Sequence, residues 1–163
     1  MELTGALMPL DGLRLSGSLT YTDATLTSPI PPVRPGGPNQ AETGARLPQV
    51  PEWTGSLQAD YQFPSRGEWA WSVGGALRYY GVREASVAAA QSIRLPNYTT
   101  MDLTAEVSNQ NTTFRLFVTN LTNKDIYVAA GRTLPGPGAG DYRRWNAVML
   151  QPRTIGVSVD YSF

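Results

Sequence analysis

Arginine is the residue in this sequence best suited to hold a ligand, and its placement is uneven. Arg34 and Arg46 fall in one long proline-rich stretch, and Arg83 and Arg94 in a second long stretch between strand-like segments. Arg132, Arg143 and Arg144 fall in a third, beside Tyr142 and Trp145. A guanidinium offers a planar fork of donors that suits anionic, oxygen-rich groups, and it stays charged at any working pH. These nine side chains are the candidate ligand contacts; the plainer alternative is that they bind surface phosphates or keep the loops soluble. Other chemistry has little to work with. Histidine and cysteine are absent, which removes the commonest general base, the commonest transition-metal ligand and any thiolate. Asp102 and Glu106 share one face of a strand, but nothing marks them as an acid/base pair. "GGPNQAETG" and "GPGAGD" are glycine-rich without the lysine of a phosphate-binding loop; Lys124 is the one lysine of the chain. No enzyme activity, resident metal or cofactor is expected. With zero net charge and 16% charged residues, no basic excess points to nucleic acid.

The elements that carry these residues follow a period of two, the strand period. Seven strands are expected in 163 residues. The first runs over 2–8, the second over 13–26, the third over 53–63 and the fourth over 68–81. The fifth covers 98–108, the sixth 112–128, and the seventh is the closing "RTIGVSVDYSF". "PLDG", "PSRG" and "NQN" read as tight turns. Residues 27–52 are too rich in proline to pair as a strand. Residues 82–96 and the stretch from Ala129 to Asn146 form two more long connections.

Short and long connections therefore alternate. In a meander this puts every short turn at one end and every long loop at the other, as in an outer-membrane barrel with periplasmic turns and extracellular loops. The aromatic residues agree. Tyr61, Phe63, Trp69, Trp71, Phe114, Tyr161 and Phe163 lie toward the short-turn end. Tyr21, Trp53, Tyr79, Tyr98 and Tyr127 lie toward the long-loop end, with aliphatic residues between. Two aromatic belts around an aliphatic band are what the two interfaces of a bilayer select. The alternate positions include Arg14, Gln58, Asp60, Arg78, Asp102, Glu106, Arg115 and Asp160, which suits the wall of a wet lumen. Arg115 should stand opposite Asp102 or Glu106 across the "NQN" turn.

Four stretches, in order, resemble the C-terminal barrel of TonB-dependent outer-membrane receptors, the ferric-siderophore group especially. They are "GARLPQVPEWTGSLQADYQF", "LPNYTTMDL", "FVTNLTNKDIY" (with Asn120, Leu121, Lys124 and Tyr127) and "PRTIGVSVDYSF". The resemblance implies an all-β fold: an antiparallel transmembrane meander of about seven strands forming the last part of a 22-stranded barrel. It implies a further N-terminal barrel portion and a plug outside this chain, with TonB acting through the plug. It also implies a ferric siderophore as transported ligand, iron entering only as that chelate. Outer-membrane lipid and lipopolysaccharide would surround the strands. Val157, Val159, Tyr161 and Phe163 resemble the terminal signal read by the barrel-assembly machinery. The opening "MELTGALMPLDG" has no basic start or long apolar core, and the chain is expected to be one segment of a longer receptor. Two alternatives stay open: an independent small membrane barrel with a structural or adhesive role, and a secreted soluble β-sandwich that binds carbohydrate.

Overall fold

The alternation of the closing stretch becomes a strand whose apolar residues all point the same way, into the surroundings. Ile155, Val157, Val159 and Tyr161 are 58–69% exposed. In a computed structural model, which describes residues 1–32, 34–65, 67–88, 92–133 and 144–163 (the backbone alone at 132, 133, 144 and 145), this strand ends a seven-stranded antiparallel sheet. The sheet contains β1 (Glu2–Leu10), β2 (Leu13–Tyr21), β3 (Trp53–Gln62) and β4 (Ala70–Tyr80). Two-residue strands β5 (Arg83–Glu84) and β6 (Arg94–Leu95) pair with each other beside it. The sheet continues with β7 (Tyr98–Ser108) and β8 (Thr112–Thr119); β9 (Tyr127–Thr133) and β10 (Arg144–Met149) form a separate hairpin before β11 (Thr154–Tyr161). The sheet order is β1-β2-β3-β4-β7-β8-β11.

The short turns carry the chemistry their sequences announce. Gly12 takes a φ of 81°, a conformation that costs glycine little, and its carbonyl accepts Gln62 N–H at 2.8 Å. Asn109 Oδ1 accepts the N–H of Asn111 at 3.0 Å and of Thr112 at 2.7 Å, closing the turn between β7 and β8.

Two expected strands end early. The second stops at Tyr21, where Thr22 N–H turns to Glu52 O (2.8 Å). The proline-rich connection beyond it forms no named strand, but it does pair with itself, through bridges Thr25 to Arg46 and Ile30 to Ala41. The sixth stops at Thr119 because Asn120 adopts a left-handed φ of 48°, which takes the chain off the sheet. Of the continuation expected over 120–128, only Tyr127 and Val128 are strand, as the start of β9, which pairs with β10.

Register places most apolar partners on one face. Leu3 faces Leu19, Leu57 faces Leu77, Leu103 faces Val118, and Val157 faces Leu116. These large side chains are exposed: Leu57 is 53% and Trp71 58% accessible. Buried hydrophobic residues among those described are only Ala41 and Leu95. The accessible surface is 11576 Å², against about 8,000 Å² for a soluble monomer of this mass. A β-sandwich would cover that face with a second layer, so the soluble-sandwich alternative is overturned. The small-barrel alternative fails as well: β1 and β11, at the two ends of the sheet order, do not pair with each other.

Candidate lumen wall and ligand-facing loops

The opposite face carries the polar partners in register: Arg14 with Asp60, Ser18 with Ser56, Ser56 with Arg78, and Glu106 with Arg115. A hollow of about 930 Å³ opens on this side, bordered by Arg14, Gln58, Asp60, Arg78, Asp102 and Glu106 among others, so the sheet curves toward its polar face. Three carboxylates organise it. Asp60 accepts Gln58 Nε2 at 2.8 Å. Asp102 Oδ2 pairs with Arg78, and Asp102 Oδ1 accepts Asn120 N–H at 2.9 Å. Glu106 Oε2 pairs with Arg115 at 2.9 Å. Of the two partners expected for Arg115, the register selects Glu106. The pairs are between a quarter and a half exposed, so each adds little to stability. What they provide is a charged, hydrated wall.

One apolar ring interrupts this face. Phe117 stands opposite both Thr104 and Gly156, and its ring occupies the space a Cβ at Gly156 would need. Glycine here lets an aromatic lie flat on the neighbouring strand.

Asn120 is the hub where the sheet gives way to the third long connection, and it is 5% exposed. Its Nδ2 donates to Lys124 O (3.1 Å) and Gln151 O (2.9 Å), and its Oδ1 accepts Lys124 N–H (3.0 Å). Asn123, also at positive φ, accepts Arg153 N–H on its Oδ1 at 3.0 Å. The stretch "NLTNK" therefore ties the end of β8 to the entry of β11.

The nine candidate ligand contacts do not form one cluster. Arg34 and Arg94 are exposed. Arg46 is also exposed but paired with Glu52. Arg83 is not a surface arginine: it is 6% exposed, and its contacts are with the other connections. Trp145 pairs in register with Arg132, and Arg144 with Thr133, on the β9–β10 hairpin. Tyr142 and Arg143 lie outside the described residues. Sequence reasoning also put Tyr98 in the outer aromatic belt. Its even position in β7 places it instead on the polar side, stacked on Tyr80 with ring centroids 5.0 Å apart. Tyr21 and Trp53 do meet on the outer face, at 4.9 Å.

A family model described as TonB dependent receptor-like, beta-barrel matches residues 1–121. The chain belongs to this family. Its relatives include the metal-pseudopaline receptor CntO of Pseudomonas aeruginosa, 34% identical over 128 residues. That alignment covers 78% of this chain and 16% of the relative. Among solved structures, the siderophore receptor PiuA of Acinetobacter baumannii superposes with a TM-score of 0.75 at 22% identity, covering 98% of this chain and 21% of that one. BauA, the ferric preacinetobactin receptor of the same organism, gives 0.69 at 23%, covering 99% and 21%. This TonB-dependent receptor chain thus spans about a fifth or less of the length of these relatives. It is a stretch of outer-membrane β-barrel wall, with one apolar and one polar face.

Proposed function

We propose that this chain supplies wall and three extracellular loops to a receptor that imports a metal chelate, a ferric siderophore or a close analogue, under the drive of TonB acting on a plug domain. The observation that carries the proposal is the largely polar, charged face running across the strands opposite an apolar one. Such a wall is useful only around a hydrated passage. An open edge in hydrocarbon would leave backbone N–H and C=O groups unpaired. β1 and β11, with one neighbour each among the described strands, therefore favour a larger barrel completed by an N-terminal portion. Arg34 and Arg94 are the exposed cations best placed to meet an anionic chelate. Arg46, Arg132, Tyr142, Arg143, Arg144 and Trp145 are the further candidates for such contact, and lipopolysaccharide phosphates are the competing partners of these groups. Val157, Val159, Tyr161 and Phe163 would be read by the barrel-assembly machinery as the strand inserts.

Uptake tests the proposal. The receptor containing these strands is expressed in a strain lacking its own chelate receptors and offered radiolabelled metal–pseudopaline and ferric preacinetobactin. Accumulation of either that stops when TonB is deleted is the expected result. A receptor assembled at the surface that accumulates neither chelate, or does so without TonB, rejects it.

A further inference from the structure

Arg83 joins three connections that are far apart in sequence. Its backbone lies in the connection between β4 and β7. Its Nε donates to Gln49 Oε1 at 3.3 Å, in the connection between β2 and β3. Its Nη2 donates to Val128 O at 2.7 Å, on β9 in the connection between β8 and β11. The guanidinium lies 5.3 Å from the centre of the Tyr98 ring, within range of a cation–π contact. Gln49, held at a left-handed φ of 62°, donates its own N–H to Glu84 O at 2.8 Å, doubling the link between the first two connections. Arg83 is 6% exposed, and among the described residues its Nη1 has no hydrogen-bond partner. A guanidinium leaves water at a cost unless its donors are met. Among the described residues Arg83 meets an amide oxygen, a main-chain carbonyl and an aromatic ring, with no carboxylate to hold it from one side. Its place is set by all three connections together, so displacing any one removes one of its few partners and loosens its hold on the others.

We propose that Arg83 is a positioning residue: it locks the three long connections into one arrangement, so that the exposed cations they carry meet a chelate together. This rests on the uptake function proposed above and adds how the mouth is held ready. Holding loops in their bound arrangement improves affinity by sparing the cost of ordering them, and apparent affinity falls in proportion to the fraction of receptors in the competent arrangement.

The test uses the complete receptor in outer-membrane vesicles and in cells, with R83M, which keeps the bulk and removes the donors, and Q49A, which leaves the arginine in place. Spin labels at L47C and V148C report the distance between the first and third connections. The expected result is a broadened distance distribution for both variants, with half-saturation for radiolabelled ferric preacinetobactin or metal–pseudopaline raised about tenfold and maximal uptake per surface receptor unchanged. Q49E, which offers Arg83 a carboxylate, should restore a narrow distribution and wild-type half-saturation. Unchanged distances, or reduced surface abundance with unchanged half-saturation, would overturn the proposal. If the unaltered receptor imports neither chelate, the uptake function fails, while the distances still decide whether Arg83 locks the loops.

Discussion

The carboxylate of Asp102 on β7 accepts the backbone N–H of Asn120 at 2.9 Å, one residue past the end of β8. The same carboxylate pairs with Arg78 on β4. Asp102 therefore serves two different purposes, and magnitudes separate them. The Arg78 side chain is 48% exposed, so losing the ion pair in R78A should cost at most about 1 kcal/mol. Asn120 is buried, and D102A would leave its N–H without an acceptor, a loss of about 1–3 kcal/mol. D102N, which retains an acceptor oxygen, should fall between. Denaturant midpoints of the detergent-solubilised barrel check the ranking; R78A costing more than D102A would refute it.

Asn120 itself should be among the least replaceable polar residues of the wall. In N120A, the carbonyls of Lys124 and Gln151 and the N–H of Lys124 lose their partner. The left-handed φ also becomes unfavourable for alanine. A loss of about 2–4 kcal/mol follows from these groups being left unmet. N120G relieves only the backbone and should recover a minor part. Equal stability of N120A and the unaltered barrel would show that water replaces the side chain.

How much of this was legible beforehand depends on the range of the interactions. The seven sheet strands and their faces are set by period-two alternation and tight turns, both local, and the Glu106–Arg115 pair follows from one short turn. The stop at Thr119 is different. "FVTNLTNKDIYV" keeps strand-forming residues beyond it, and the break comes from Asn120 bonding to Gln151, 31 positions later. Arg83 reads from sequence as one more loop arginine. Its burial depends on Gln49 and Val128, 34 and 45 positions away, and no local pattern signals that meeting.

The two faces of β3 should respond oppositely to the same charge. Leu57 stands mid-strand on the apolar side and Gln58 beside it on the lumen side. Arginine at a lipid-facing midplane position costs about 2–4 kcal/mol, whereas a lumen position tolerates it. L57R should therefore reduce the amount of folded barrel in outer-membrane fractions, and Q58R should leave it near normal. The reverse order would mean that the lipid and lumen faces are assigned the wrong way round.

Gly156 and Phe117 should be energetically coupled. Alanine at 156 would collide with the Phe117 ring across the β8–β11 pair, and overpacking of this kind costs about 1–3 kcal/mol. F117L removes the ring and should make G156A nearly neutral, so the double variant is more stable than the sum of the two single losses. A cycle that is strictly additive would mean that the ring swings away freely.

Two hydrogen bonds hold the chain just past the end of β11. Asn111 donates its Nδ2 to Ser162 O at 3.0 Å, and Ser162 N–H donates to Asn111 O at 2.9 Å. The chain end is thus fastened to the turn between β7 and β8, while the Phe163 side chain stays fully exposed beyond it, edge-on to Tyr161 at 5.2 Å. If Phe163 serves assembly, its removal should lower the rate at which folded receptor accumulates in the outer membrane several-fold. The receptors that do assemble should keep their half-saturation for chelate, because Phe163 lies at the short-turn end, away from the loops. N111A offers the contrast: it loosens the fastening and leaves the aromatic in place, so assembly should proceed at a near-normal rate while the folded barrel loses about 1 kcal/mol of stability. Pulse-chase measurement of heat-modifiable, folded receptor separates the two. Normal accumulation without Phe163 would remove the assembly role from this residue.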